Sequence, residues 1–168
     1  DNGAALSTNP LFSNSDPNAR RIIAHGMRNP FRIAFRPGTS ELWVGDVGLG
    51  RWEEINRITD VLGSVENAGW PCYEGPASPP SWQQAGVDIC TNLYAAGPSA
   101  VHAPYYSYAH SSTVVAGETC PFGSSSISGL AFYQGGSYPA AYSNALFFSD
   151  YSRKCIWAMR AGSNGLPN

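Results

Sequence analysis

The sequence predicts an all-β protein built from antiparallel strands. Residues 31–36 alternate between apolar and polar side chains, which is the period of a half-buried strand with Phe31, Ile33 and Phe35 facing inward. Apolar runs along the chain end at Gly, Pro or Asp, as they do at the turn of residues 37–40. No segment has the pattern of an amphipathic helix, so we expect short strands with functional groups on the loops that join them.

Short apolar runs define the expected strands. They lie at residues 20–24, 31–36, 42–44, 54–58, 127–133, 146–148 and 156–159. Residues 1–19 are polar and rich in turn-forming residues, so a loop is predicted there. Residues 63–103 contain several prolines and little regular pattern. A loop of this length inside a compact domain usually has a function or is held by a disulfide.

Two parts of the chain repeat the same order of elements. In each part an apolar strand, a turn and a second apolar strand precede a small residue and an aspartate, which is Asp46 in the first part and Asp150 in the second. We place these repeats at about residues 20–62 and 104–162 of a single domain that covers residues 1–168. Repeated antiparallel units are typical of β-propellers, but a β-sandwich gives the same pattern.

The charge and hydropathy of the chain exclude two classes of partner. The net charge is −2 at pH 7 and no run of basic residues is present, so we expect no nucleic-acid partner. No stretch approaches the roughly 20 apolar residues of a membrane-spanning helix, so we expect no membrane span.

The four cysteines indicate disulfide bonds. They lack the CxxC spacing that would indicate a zinc site, and two disulfides imply an oxidising compartment. We therefore expect a secreted or extracytoplasmic protein. Three pairings are possible, and we favour Cys72–Cys90 and Cys120–Cys155 because the first closes a Pro/Ser-rich loop. On the chain-entropy model, a disulfide that closes a loop of this size stabilises the fold by about 3 kcal/mol. Four buried free thiols are the alternative.

Several motifs in a fixed order resemble a known family. They are GMRNP (26–30), GDVG (45–48) followed by WEEIN (52–56), NAGWP (67–71), SSISGLAF (125–132), GGSYPAAY (135–142) and ALFFSDY (145–151). Together they resemble the glucose/sorbosone dehydrogenase family, whose members are quinoprotein-type sugar dehydrogenases with a six-bladed β-propeller. The WPCYEG and DYSRKCIWAM segments are similar to its secreted actinobacterial branch. Six blades need roughly twice this length. The resemblance therefore implies a partial six-bladed propeller, a fragment whose partners include the remaining blades of a parent chain.

The resemblance also implies a reaction. Members of the family oxidise the C1 hydroxyl of an aldose or sorbosone-type sugar, using pyrroloquinoline quinone (PQQ), Ca²⁺ and an external electron acceptor. The family's general base is a histidine of an earlier blade that has no match here, so we expect the fragment alone to be inactive. The alternative is a non-catalytic secreted propeller that binds carbohydrate or protein. Two features favour this alternative: Ser152 stands where the family has a quinone-contacting lysine, and residues 111–123 are inserted.

Arg28 and Asn29 are the first candidates for binding the cofactor. Pro30 holds Asn29 in an extended conformation, and a guanidinium offers a rigid fork for the carboxylates that PQQ carries. The alternative is an ion pair of Arg28 with Asp46 or Glu53. The resemblance further implies that Tyr106 and Tyr108 stack on the quinone, although a strand of half-buried tyrosines explains them as well. The neighbouring His110 has no activating partner visible in the sequence.

Metal ligands are predicted on the glycine-rich turn and beyond it. A turn such as residues 46–50 can direct successive carbonyls at one point, which suits Ca²⁺. The resemblance places these ligands at Gly48 and Leu49, with an ordinary turn as the alternative. It also implies a second, structural Ca²⁺ held by Glu54 with the region of Ala68 and Glu74. Of the pair Glu53–Glu54 we expect one carboxylate inward and one outward, and a solvated acidic pair is the alternative.

Overall fold

The computed structural model describes residues 3–76 and 85–168. Strands form most of its regular structure. They are β1 (Ala24–His25), β2 (Pro30–Phe35), β3 (Leu42–Asp46), β4 (Trp52–Ile58), β5 (Glu66–Asn67), β6 (Tyr106–Ala109), β7 (Ile127–Tyr133), β8 (Ala145–Asp150) and β9 (Cys155–Met159). A helix, α1, spans Asp88–Ala96, and short 3₁₀ turns lie at Ala19–Arg21, Pro98–Ala100 and Ala140–Tyr142.

The longer strands form two antiparallel sheets. The first sheet has the order β2-β3-β4-β6 and the second has the order β7-β8-β9, while β1 and β5 pair in parallel as a short ribbon. Strand β6 pairs with β4 and so belongs to the first sheet, although its residues lie in the second predicted repeat. The division of the chain into repeats at 20–62 and 104–162 stays a prediction.

The two sheets pack face to face around one hydrophobic core. The first sheet contributes Trp43, Ile55 and Tyr108, and the second contributes Ile127, Leu130, Leu146, Phe148 and Trp157. Within this core the rings of Phe148 and Trp157 stack with centroids 5.2 Å apart. Large aromatic and aliphatic side chains bury the most area, so this inter-sheet core supplies most of the hydrophobic stabilisation.

Strand β2 alternates as predicted, but its buried face was predicted wrongly. Phe31, Ile33 and Phe35 are 56%, 57% and 59% exposed, whereas Ala34 packs against the inter-sheet core. The register pairs Ile33 with Val44 on the face of the first sheet that points away from the second. Residues from the N-terminal segment and from Val61 cover that face at β3 and β4. In the described part of the chain this cover leaves the three β2 side chains exposed.

The predicted loop 63–103 contains regular structure. Helix α1 lies in it, which corrects the expectation of no helix, and Gly97 follows the helix with a φ of +85°. The helix is attached to the loop through Tyr94, whose hydroxyl donates to the Cys72 carbonyl at 2.7 Å. The predicted strand at 20–24 is also shorter than expected, because Ala19–Arg21 forms a 3₁₀ turn and only Ala24 continues into β1.

Both favoured disulfides are present. Cys72 is bonded to Cys90 across 18 residues, and Cys120 is bonded to Cys155 across 35 residues. The first links the NAGWP segment to helix α1, and the second attaches the 111–123 segment to the start of β9. Among the described residues, no helix is long and apolar enough to cross a membrane.

Candidate functional site

A buried aspartate fixes the backbone of the RNP segment. The two carboxylate oxygens of Asp46 accept hydrogen bonds from the backbone N–H groups of Arg28 and Asn29, at 2.9 and 2.6 Å. The Val47 N–H donates to the Asn29 carbonyl at 3.1 Å, so the end of β3 and the start of β2 are locked together. Burial raises the pKa of Asp46, and these two N–H groups partly offset the rise. Asp46 therefore positions Arg28 and Asn29 through their backbone.

The Arg28 guanidinium binds the glycine-rich turn. Its Nη1 donates to the carbonyl oxygens of Val47 and Gly48, both at 3.0 Å, and the guanidinium lies 5.8 Å from the centre of the Trp70 ring. Two successive carbonyls thus converge on one point, as predicted for a cation. The pair is one residue earlier than predicted, and the cation in the structure is the protein's own arginine. Arg28 and Gly48 were expected to lie together, and they do.

The opposite side of the same turn binds an anion. One carboxylate oxygen of Glu74 accepts hydrogen bonds from the backbone N–H groups of four successive residues, Leu49, Gly50, Arg51 and Trp52, at 2.9 to 3.3 Å. Burial alone would raise the pKa of Glu74, but these N–H groups lower it below its usual value. A Cβ at Gly48 would lie 1.8 Å from the Trp52 carbonyl oxygen, so only glycine allows this turn. The turn is a backbone nest for a carboxylate.

Glu54, the other predicted metal ligand, is also hydrogen-bonded to protein groups. Its carboxylate accepts from the Gly75 N–H at 2.6 Å and from the Asn56 side-chain amide at 3.0 Å. Burial raises its pKa, and those two donors partly offset the rise. Glu54 and Glu74 lie close together, while Ala68 donates its N–H to the His25 carbonyl at 2.9 Å. The described residues contain no cluster of three His, Cys, Asp or Glu side chains suited to a metal ion.

Tyr106 and Tyr108 lie between the two sheets. Tyr108 is 3% exposed, and its hydroxyl donates to Asp150 at 2.8 Å. Burial, together with the negative charge of Asp150, raises the pKa of Tyr108. The Tyr106 ring packs against Phe148 with centroids 5.9 Å apart. This packing favours the alternative of half-buried strand tyrosines, and stacking of Tyr106 and Tyr108 on the quinone stays a prediction.

The structure adds a buried pair that the sequence did not indicate. The fully buried carboxylate of Glu53 lies 2.7 Å from Nε2 of His110 and accepts the Ile127 N–H at 2.8 Å. Burial raises the pKa of Glu53 to about 8, and burial lowers the pKa of His110. Glu54 is 7% exposed, so the expectation of one inward and one outward carboxylate was wrong. Both faces of β4 are covered at this end of the sheet.

Arg153 is another buried polar side chain, in addition to the Glu53–His110 pair. It is fully buried, and its guanidinium donates to the Ser125 hydroxyl and to the carbonyls of Ser112 and Ala109, at 2.7 to 2.8 Å. Arg153 therefore attaches the 111–123 segment to the second sheet. The neighbouring Lys154 has a φ of +54° and is exposed. These surroundings leave Arg153 no access to a ligand in solvent.

A cleft opens beside Asn29, where corresponding ends of the two sheets meet. We call it the inter-sheet cleft; it has a volume of about 410 Å³. Its lining residues are Asn29, Phe31, Arg32, Val47, Ser126, Ile127, Ser128 and Tyr151. The volume lies within the range of small-molecule sites, and the lining residues combine apolar side chains with an amide, three hydroxyls and a guanidinium. Such a lining can hold a flat, anionic ligand.

Comparisons with known proteins place the chain in a family. The family model for glucose / sorbosone dehydrogenase matches residues 1–165, and the chain therefore belongs to this family. No curated protein matches the sequence.

A solved structure matches the fold. It is the PQQ-bound form of the aldose sugar dehydrogenase from Streptomyces coelicolor, with a TM-score of 0.59 and 18% sequence identity. The match covers 97% of this chain and 34% of that one, so this chain spans about a third of the length of that dehydrogenase. With its antiparallel sheets, the chain has the predicted all-β fold of a partial β-propeller.

Proposed function

We propose that this chain is part of a PQQ-dependent dehydrogenase that oxidises the C1 hydroxyl of an aldose or sorbosone-type sugar. The observation that carries the proposal is the clamp of Asp46 on the backbone of Arg28 and Asn29, because Asn29 lines the inter-sheet cleft and Arg28 is its neighbour in the chain. Family membership and the likeness to a PQQ-bound dehydrogenase support it. In this role Arg28 and Asn29 bind the quinone, and Asp46 positions them.

The donors at the cleft fit the chemistry of the quinone. PQQ is a flat ring system with three carboxylates, and guanidinium and amide groups are strong partners for carboxylates. The hydrogen bonds of the Arg28 side chain to described residues start from Nη1, so its Nε and Nη2 groups can serve a ligand. Asn29 is exposed and lines the cleft. When bound, the quinone supplies the two-electron acceptor for oxidation of the sugar hydroxyl.

The described residues supply binding groups for this reaction rather than its base. No histidine of the described residues lines the inter-sheet cleft. His110 lines a different cavity, beside Arg51 and Trp52, and its Nε2 is paired with Glu53. We therefore propose that the proton of the sugar hydroxyl leaves to a group outside the described residues, and that this chain alone is inactive.

Calcium does not fit the turn in the arrangement described. An ion on the carbonyls predicted to bind it, those of Gly48 and Leu49, would meet the Arg28 guanidinium, which lies 3.0 Å from the Gly48 oxygen. Glu54 and Glu74 are likewise occupied by backbone N–H groups. We keep Ca²⁺ binding at Gly48, Leu49, Glu54, Ala68 and Glu74 as a separate proposal, which requires Arg28 to move, and we derive no chemistry from it.

The proposed surroundings of the protein follow from the same reasoning. Two disulfides support an oxidising, extracytoplasmic location. The proposed reaction needs a sugar, an external electron acceptor and further propeller blades. This chain covers 34% of the Streptomyces coelicolor dehydrogenase chain, which supports the need for further propeller blades.

Quinone binding tests the proposal. PQQ is titrated into the protein while its absorbance and the tryptophan fluorescence are followed, and dye reduction with aldoses is assayed in parallel. We expect saturable binding that weakens in Arg28→Ala and Asn29→Ala variants, without dye reduction by this chain. Absence of PQQ binding to a folded protein would contradict the proposal.

A non-catalytic binding module is the second candidate. It is favoured by the burial of Arg153 and by the position of Lys154, which is not among the residues that line the inter-sheet cleft. No lysine therefore reaches the cleft from the segment that aligns with the quinone-contacting lysine of the family. Binding of a glycan or protein ligand to a protein that does not bind PQQ would support this candidate.

A further inference from the structure

We infer that Arg32 is a carboxylate-binding arginine of the inter-sheet cleft, in addition to the proposed Arg28 beside the cleft, and this inference rests on the proposed function. Arg32 lines the cleft together with Asn29, and it is not part of the Asp46 clamp. Its ligand is a flat aromatic carboxylate, the class to which PQQ belongs.

The backbone directs Arg32 toward the second sheet. The pairing of β2 with β3 is irregular between Pro30 and Arg32, and β7 has the same irregularity between Ile127 and Gly129. Such bulges bend a strand and re-aim its side chains, and they are frequent beside functional sites. After the bulge Arg32 pairs with Gly45, and its Nε lies 3.5 Å from the Ser128 carbonyl of the second sheet. The side chain therefore spans the gap between the sheets.

The charge of Arg32 is not neutralised by the part of the chain that the structure describes. No carboxylate there lies within ion-pair distance of its guanidinium, whereas the nearby Arg36 and Arg57 both pair with Glu41. The one hydrogen bond that its side chain makes to a described residue is the long contact from Nε to the Ser128 carbonyl, at 3.5 Å. Both Nη groups are thus available for a bidentate bond to a carboxylate.

The walls of the cleft suit the ring of the same ligand. Tyr151 and Phe31 line it and are 80% and 56% exposed, while Val47 and Ile127 supply apolar surface. Exposed aromatic rings beside a guanidinium can hold a flat ring and its carboxylate together. Arg32 is the basic residue that lines the cleft: Arg153 is buried, Lys154 lies in a different cavity, and Arg28 lies beside the cleft, bound to the Val47 and Gly48 carbonyls.

Variants at Arg32 test this assignment through binding rather than activity. PQQ is titrated into wild-type protein, Arg32→Gln and Arg32→Lys, with Arg160→Gln as a matched control for loss of one exposed positive charge. We expect Arg32→Gln to raise the Kd for PQQ on the order of tenfold to a hundredfold, Arg32→Lys to recover part of the loss, and Arg160→Gln to have little effect. The PQQ trimethyl ester, which lacks free carboxylates, should bind wild type and Arg32→Gln equally.

The outcomes separate this inference from the function on which it rests. If PQQ binds wild type and Arg32→Gln with the same Kd, Arg32 is not a ligand residue, while the proposed function stands. If the ester discriminates between the two proteins as strongly as PQQ does, a role in carboxylate binding is wrong. If wild type binds no PQQ, the proposed function fails, and the inference fails with it. Circular dichroism confirms that the variants are folded.

Discussion

The guanidinium of Arg28 donates a hydrogen bond of 3.0 Å to the carbonyl oxygen of Gly48. On the other side of the same turn, the N–H groups of residues 49–52 donate to Glu74. The turn thus binds a cation through its carbonyls and an anion through its N–H groups. Both ions are side chains of the protein, and this arrangement decides what else can bind there.

Removing the Arg28 side chain should free the turn carbonyls for calcium. We expect Arg28→Ala to bind Ca²⁺ about tenfold or more tightly than wild type in the absence of quinone, because no guanidinium then competes for the oxygens of Val47 and Gly48. Isothermal titration calorimetry measures both affinities. Arg51→Ala removes a charge from the same turn without changing these hydrogen bonds and serves as the control. Equal affinities in wild type and Arg28→Ala would show that Arg28 does not compete with the ion.

Glu74 should stabilise the fold through the nest that it fills. We expect Glu74→Ala to lower the free energy of unfolding by about 1 to 3 kcal/mol, because the buried Glu74 carboxylate accepts four backbone N–H groups that would lose this acceptor. Urea denaturation measures the change. Glu66→Ala is the control, since the Glu66 carboxylate accepts one backbone N–H bond, of 3.4 Å from Thr59, and contacts the His102 ring at 3.3 Å rather than filling a nest of N–H groups. If both substitutions lower the free energy of unfolding by the same amount, the nest of N–H groups around Glu74 does not stabilise the fold.

Glu53 should make stability depend on pH above neutrality. Its pKa rises from 4.5 to about 8 on folding, so the folded protein binds its proton more tightly and stability decreases as pH rises toward 8. His110 has a lowered pKa and destabilises the fold only below about its ordinary value of 6.5. Between pH 6.5 and 8 the effect of Glu53 is therefore seen separately, and the free energy of unfolding should fall by about 1.5 to 2 kcal/mol over this range.

Urea denaturation of Glu53→Gln across this pH range tests the assignment. The variant should have a nearly flat stability between pH 6.5 and 8, the range set by the pKa values of His110 and Glu53. Asp88→Asn removes an exposed carboxylate of helix α1 and should keep the wild-type slope. If wild type itself shows no slope, Glu53 is not the titrating group.

The two disulfides should differ in their contributions to stability. Loops of 18 and 35 residues correspond to about 3 and about 4 kcal/mol on the chain-entropy model. We therefore expect the double variant Cys120→Ser/Cys155→Ser to lose more stability than Cys72→Ser/Cys90→Ser. Thermal unfolding followed by circular dichroism ranks them. The opposite order would mean that native contacts of each bridge outweigh loop length.

Local patterns predicted most of the strands but not their surroundings. The alternation in β2 and the turn after it are properties of neighbouring residues, and the structure contains both. Which face of β2 is buried depends on the segments that cover the sheet, and the sequence of the strand alone does not determine those segments. Helix α1 was missed because its Cys90 and Tyr94 bind a distant segment rather than forming an amphipathic stripe.

Sequence patterns also failed to predict the long-range contacts around the candidate site. The proximity of Arg28 and Gly48 was predicted because the RNP and GDVG motifs resemble those of the family, and the structure brings the two residues together. The partners of Glu53 and Tyr108 lie 57 and 42 residues away along the chain, and they meet only when the two sheets pack. Single-sequence patterns contain no record of such contacts. The roles of Glu53, His110 and Arg153 therefore came from the structure.

A crystal structure of the protein grown with PQQ tests the central claim most directly. The account predicts quinone density in the inter-sheet cleft, with a carboxylate within about 3.2 Å of the Arg28 guanidinium or the Asn29 amide. A cleft without quinone, or quinone bound elsewhere with Arg28 and Asn29 uncontacted, would contradict it.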